Sequence, residues 1–231
     1  MRNVLYLLIL VLCSSSLHGQ IRNLRLGASV EPLALSFMNS DTPLITQRNV
    51  NLSSSVFFKT EYYFSPFVSF ASGVGFTVNQ GGTLLYEEGG DVWAESELIP
   101  SDLHNIREPT RFRSSIRYLE FPFALKLRTD ESGKYRVFFE IPRMTLGVAT
   151  NARGTITNDN IRVTNQNILP SIAWLNLSYG VMAGCEYSIT ENISAFAGFH
   201  WKQGLFDITE DVGVDSKITT GTLGIHGGIL F

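Results

Sequence analysis

Cysteine is almost absent: the 231 residues hold two, Cys13 and Cys185. Cys13 falls inside an amino-terminal secretory leader, in which Arg2 carries the positive charge, Val4 to Leu12 form the apolar run and Ser14 to Gly19 a small, polar exit. Cleavage after Gly19 leaves residues 20–231 with Cys185 as their one thiol, so the exported chain makes no internal disulfide. Past the leader there is no run of about 18 apolar residues, which excludes a membrane-spanning helix. Charge is also scarce, at 17% of residues with a net of -3, and no basic run occurs, so nucleic acid is not an expected partner. Cys and His residues at metal-ligand spacing are missing, as is a Gly-x-Ser-x-Gly nucleophile motif; neither an enzyme nor a cofactor is expected.

What is present is alternation. In Tyr118-Leu119-Glu120-Phe121-Pro122-Phe123-Ala124-Leu125-Lys126-Leu127-Arg128, the odd positions are oily and the even ones carry Glu120, Lys126 and Arg128. Seven further segments repeat the pattern. Leu24 to Phe37 do so with a change of parity near Pro32, where a bulge accommodates the missing N–H; residues 134–143 slip in the same way near Pro142-Arg143. Three short turns, at 65–66, 129–133 and 190–192, alternate with four longer loops at 39–49, 81–113, 149–170 and 204–216. This rhythm predicts an all-β fold, an eight-stranded antiparallel up-and-down transmembrane β-barrel with short turns and both termini on one side. The mean hydropathy of +0.09 suits a wall in which only alternate residues meet lipid. A soluble lipocalin-like barrel, the rival fold, needs the opposite faces.

Eight strands enclose an interior just wide enough for side chains. The expected inward charges are Arg25, Lys59, Lys126, Arg128, Arg136 and Lys202 against Glu31, Glu61, Glu120, Glu140 and Glu186, nearly balanced and therefore expected to pair across the lumen. A small pore for ions or solutes is the alternative. His200 and His226 share this face and are taken as members of the polar network, with no metal assigned. Tyr62, Phe64, Tyr135, Tyr187 and Trp201 end the apolar faces and suit interfacial girdles. The loops at 81–113 and 150–170 are the expected external surface. The first, acidic at Glu87, Glu88, Asp91 and Glu95, aromatic at Trp93 and basic at Arg107 and Arg111, is the candidate site for a partner.

The Tyr118–Lys126 run, together with the exported amino terminus, Gly204-Leu205 after a strand and a terminal aromatic, resembles the outer-membrane β-barrel family of Bacteroidota that includes the PorT-like proteins and small OmpX-like barrels. The resemblance implies a bacterial outer-membrane location, lipid as the surrounding solvent, and Phe231 as the signal taken by the barrel-assembly machinery. It also implies an accessory role with envelope or secretion proteins, reached through the external loops. It brings no catalytic residues.

Overall fold

The computed structural model describes residues 23–88, 109–160, 162–209 and 216–231. The leader, with its cleavage position, and Asp91, Trp93, Glu95 and Arg107 of the candidate loop lie outside these residues. Nine strands follow in order: β1 (Leu24–Ser40), β2 (Ile45–Tyr63), β3 (Val68–Tyr86), β4 (Thr110–Arg128), β5 (Tyr135–Thr157), β6 (Arg162–Asn167), β7 (Leu175–Ser188), β8 (Ser194–Gly204) and β9 (Ile218–Leu230). All but β6 form a closed antiparallel ring of eight, each strand pairing with its neighbours and β1 closing on β9. The short β6 pairs only with the projecting end of β5.

The wall turns its apolar residues outward. Leu52, Val56, Phe76, Phe123, Phe139, Phe199 and Leu223 are all exposed, part of a continuous belt far larger than a water-facing surface tolerates. Aromatic pairs rim it: Tyr62 with Phe64 (ring centroids 5.4 Å apart) and Tyr135 with Tyr187 (5.0 Å) near the turns, and Tyr179 with Trp201 (5.6 Å) toward the loops. Such an exterior is solvated by lipid and not by water, which makes the barrel a transmembrane one.

On β4 the belt has a sharp upper edge. From Leu119 to Leu127 the outward residues are apolar, whereas Arg111, Arg113 and Arg117 occupy the exposed outward positions of the preceding stretch, with Phe112, Ile116 and Tyr118 buried behind them. The belt segment rises roughly 21 Å at ~3.4 Å per residue and a tilt of ~40°. All of β4, with 19 residues, rises roughly 45 Å on the same basis. About half of the strand therefore stands clear of lipid on the loop side.

This projection corrects the loop boundaries. The expected loop at 81–113 is entered by paired strand at both ends, Leu84 facing Phe112 and Tyr86 facing Thr110, so Arg111 belongs to a strand. The expected loop at 150–170 contains the end of β5 and all of β6. The stretch 39–49 shrinks to a link between Ser40 and Ile45. Polar, Thr- and Asn-rich residues face water there on both strands, and this removes the apolar alternation by which a lipid-facing strand is recognised.

The two parity changes are bulges. Register shifts between Glu31 and Ala34 on β1, leaving Pro32 and Leu33 both exposed, and between Glu140 and Arg143 on β5. At Pro122, which has no N–H to give, the β3–β4 ladder keeps its register but lacks the pairings of Gly73 and Val74. A cavity of about 20 Å³ lies beside it, room for one water.

Candidate functional site: an ion-paired lumen beneath an apolar plug

The lower lumen is filled by charged side chains. Buried Lys59, Lys126, Arg128, Arg143 and Lys202 face buried Glu31, Glu61, Glu120, Glu140 and Glu186, five of each sign among the described residues. Seven of them form one chain of contacts. Arg143 Nη1 meets Glu140 Oε2 at 2.8 Å, and Lys59 Nζ reaches Glu140 Oε1 at 2.7 Å and Glu61 Oε1 at 3.2 Å. Lys126 Nζ lies 2.8 Å from Glu61 Oε1 and also bonds Glu186, whose other oxygen is 3.3 Å from Arg128 Nη1. The Tyr63 hydroxyl donates to Glu61 Oε2 (2.7 Å) and accepts from Arg128 (3.1 Å). Separately, Lys202 and Gln80 both donate to Glu120 Oε1 at 2.7 Å.

These contacts join β2, β4, β5 and β7 across the interior, so the charges face one another and do not line a passage. Phe138 and Phe196, also turned inward, fill the space between them. Lys126 Nζ sits 4.4 Å above the Phe138 ring and Lys59 Nζ 4.5 Å above that of Phe196.

Two expected members stand apart. Arg25 and Arg136 are half-buried at the turn-side mouth: Arg25 bonds Ser194 Oγ and the Glu191 carbonyl, and Arg136 pairs with Glu131 of the β4–β5 turn at 2.6 Å. The lumen widens there into a vestibule of about 300 Å³, where water reaches the guanidinium groups and no lumenal partner is needed. Outside the lipid belt, the hydrogen bond from Arg136, followed by one from Ser188, lowers the pKa of the Glu131 carboxyl. Conversely, Arg143 was hidden from the alternation because the β5 bulge reverses the facing of the residues after Glu140. Tyr63 and Gln80 carry no charge, so the charge pattern does not mark them.

The loop-side half of the interior is apolar. Met38, Ile45, Leu84, Tyr86, Phe112, Ile116, Tyr118, Ala152, Ile156 and Ile218 of the strands pack with Ile168, Ile172 and Ile208 of the connections. The loop-side end of β3 supplies the closing element. Left-handed backbone at Asn79 (φ 62°) and Gly81 (φ 123°) breaks the straight course of β3, and Gln80, Gly81, Gly82, Thr83 and Leu84 are all buried in succession. The Gly81 N–H donates to Ser36 Oγ of β1 at 2.9 Å. A Cβ on Gly82 would lie 3.1 Å from the Met38 nitrogen. Since β2 stands between β1 and β3 in the sheet, this approach means that β3 has moved inward across the mouth. Asn51 of β2 accordingly bypasses β3 and donates to the Ser114 carbonyl of β4 at 2.7 Å.

Above the plug, Leu85, Pro109, Arg111, Thr157, Asn158 and Asp159 border an outer cleft of about 360 Å³. Glu87 and Glu88, the described acidic members of the candidate loop, are exposed just past β3. At the other end of the barrel, the Phe231 backbone pairs with Leu26 in both directions (2.8 and 3.0 Å) and its ring is half exposed to the lipid side.

No protein-family model matches the chain, and no curated protein is significantly similar to it in sequence. Solved structures with a similar course of chain include neisserial surface protein A (13% identity, 90% of this chain and 97% of that one, TM-score 0.42). The attachment invasion locus protein Ail of Yersinia pestis gives 14% identity over 90% and 98% of the two chains, with a TM-score of 0.40. The outer membrane protease OmpT of Escherichia coli gives 9% identity over 90% and 96%, with a TM-score of 0.46. Likeness at this level is one of architecture alone.

Proposed function

We propose that this is a non-enzymatic, non-conducting barrel of the bacterial outer membrane that acts through its loop-side surface. The observation that carries the reading is the double closure of the lumen: a cross-linked set of buried ion pairs below, and an apolar plug drawn from six strands and two connections above. A lumen closed in this way leaves the exterior above the lipid as the working surface. That surface holds the cleft beside Arg111, exposed Arg113, Arg117 and Arg153, and the acidic start of the stretch after β3. The partner it suits is an envelope or secretion protein, met by the acidic-then-basic segment between Glu87 and Arg111. In this reading the Met1–Gly19 leader directs export, Phe231 is taken by the assembly machinery, and the Tyr118–Lys126 run supports a PorT-like relationship.

Planar-bilayer recording from the purified barrel tests the closure. Occasional or no current is expected, and an appreciable steady conductance overturns the reading in favour of a small pore. Removing Glu87–Asp102 should leave outer-membrane recovery and the heat-sensitive gel shift intact while abolishing co-purification of the partner. A deletion that keeps its partner would move the site elsewhere on the loop side.

A further inference from the structure

Glu31 is the one buried carboxylate among the described residues that touches no Lys or Arg. Its neighbours are two buried histidines, His200 on β8 and His226 on β9. Glu31 Oε2 lies 3.4 Å from His200 Nε2 and 3.9 Å from His226 Nδ1, and one ligand atom from each of the three residues falls within 4.8 Å of the others. None of the four ring nitrogens has a hydrogen-bond partner, nor has Glu31 Oε1. Five buried polar atoms on three adjacent residues without a hydrogen bond carry a desolvation cost.

The surroundings hold these side chains in place. Glu31 continues the inward face of Gly27 and Ser29 and stands at the edge of the β1 bulge, next to the β9 seam. The His226 ring is stacked between Phe57 (5.6 Å) and Phe196 (5.9 Å). Gly224 leaves the room His200 occupies, since a Cβ there would stand 2.9 Å from its Cε1.

We propose that Glu31, His200 and His226 bind a divalent first-row cation, Zn²⁺ being the best match, as a structural clip across the seam of the barrel. Two imidazoles and a carboxylate are a standard three-residue set for this ion. With ligand bonds of about 2.0–2.1 Å, tetrahedral geometry sets ligand atoms roughly 3.3 Å apart, so the Glu31–His200 spacing already fits, while His226 must close by about 0.6 Å on Glu31 and by at most about 1.5 Å on His200. The fourth position falls to a water. The small cavity bordered by His226 and Ser29, whose hydroxyl is also unpartnered, accommodates one. The ion joins the first strand to the last two, a link that no disulfide makes among the described residues.

The test uses the full mature barrel, without added histidines, purified in detergent, stripped with chelator and reloaded with Zn²⁺. Retention of one Zn²⁺ per chain after gel filtration is expected, falling to background in His200→Gln and in Glu31→Gln while the folded gel band persists. Retention that is equal in wild type and variants, or absent from wild type, overturns the proposal. Should the variants fail to fold, X-ray absorption at the zinc edge of the loaded wild type decides. Two imidazole nitrogens in the first coordination sphere support the clip, and an all-oxygen sphere overturns it.

Discussion

Replacing Lys126 by Met separates a charge-balanced lumen from one that is merely crowded. The seven-membered chain of contacts holds four cations, Arg143, Lys59, Lys126 and Arg128, against three anions, Glu140, Glu61 and Glu186. Lys126→Met leaves three of each. Glu61 keeps Lys59 at 3.2 Å and the Tyr63 hydroxyl at 2.7 Å, and Glu186 keeps Arg128 at 3.3 Å. Breaking a buried pair costs about 3–5 kcal/mol, and the retained partners put this substitution near the lower end. Glu61→Gln, although closer in shape, leaves four cations with two anions in a region that water does not reach, and belongs at the upper end, about 5 kcal/mol. With urea slopes of about 1–3 kcal/mol per molar, Lys126→Met should lower the unfolding midpoint by roughly 1–3 M and Glu61→Gln by more. Fluorescence of Trp201, on the outward face of β8, follows loss of the lipid contact, and the heat-sensitive gel shift gives an independent measure of folding. Equal midpoints for wild type and Lys126→Met, or a milder effect from Glu61→Gln, would refute the charge accounting.

Three other outcomes follow from the same structure. Phe123→Arg puts a cation in the middle of the lipid belt and should cost about 2–4 kcal/mol in bilayer refolding, while Arg111→Ala, above the belt, should leave refolding unchanged. Gly82→Val forces β3 away from the Met38 backbone and should unseat the plug, read as conductance absent from wild type; a silent variant would show that the ion-paired layer alone seals the lumen. The lowered pKa of Glu131 means that its contact with Arg136 is fully made above the ordinary carboxylate range and is lost as pH falls through the lowered value. Carbon NMR of the Glu131 carboxyl should titrate below an ordinary Glu, and a midpoint at or above that range would remove Arg136 as its partner.

Wherever one face meets lipid, the alternation settled the direction of the side chains. Leu119 to Leu127 face outward as read, and Glu120, Lys126 and Arg128 inward. Both bulges were announced by prolines, Pro32 and Pro142. The plug was not legible, because its residues stand where the rule inverts: above the lipid, Phe112 and Ile116 turn inward and Arg111, Arg113 and Arg117 outward. A sequence window does not say which solvent surrounds it. Arg143 escaped for a related reason, since its facing depends on a shift of register. That Glu31 meets His200 and His226 depends on closure of β1 on β9, a contact between the two ends of the chain that no local pattern carries.

The origin of the plug bears on how this protein changes over evolutionary time. Its described apolar side chains come from strand ends and from three anchored positions in the connections, whereas Glu87, Glu88 and Arg111 stand exposed outside it. Those three can be recharged under pressure from a partner, a phage or an immune system without disturbing the described plug. In this molecule the part that must vary and the part that must stay shut are carried by different residues.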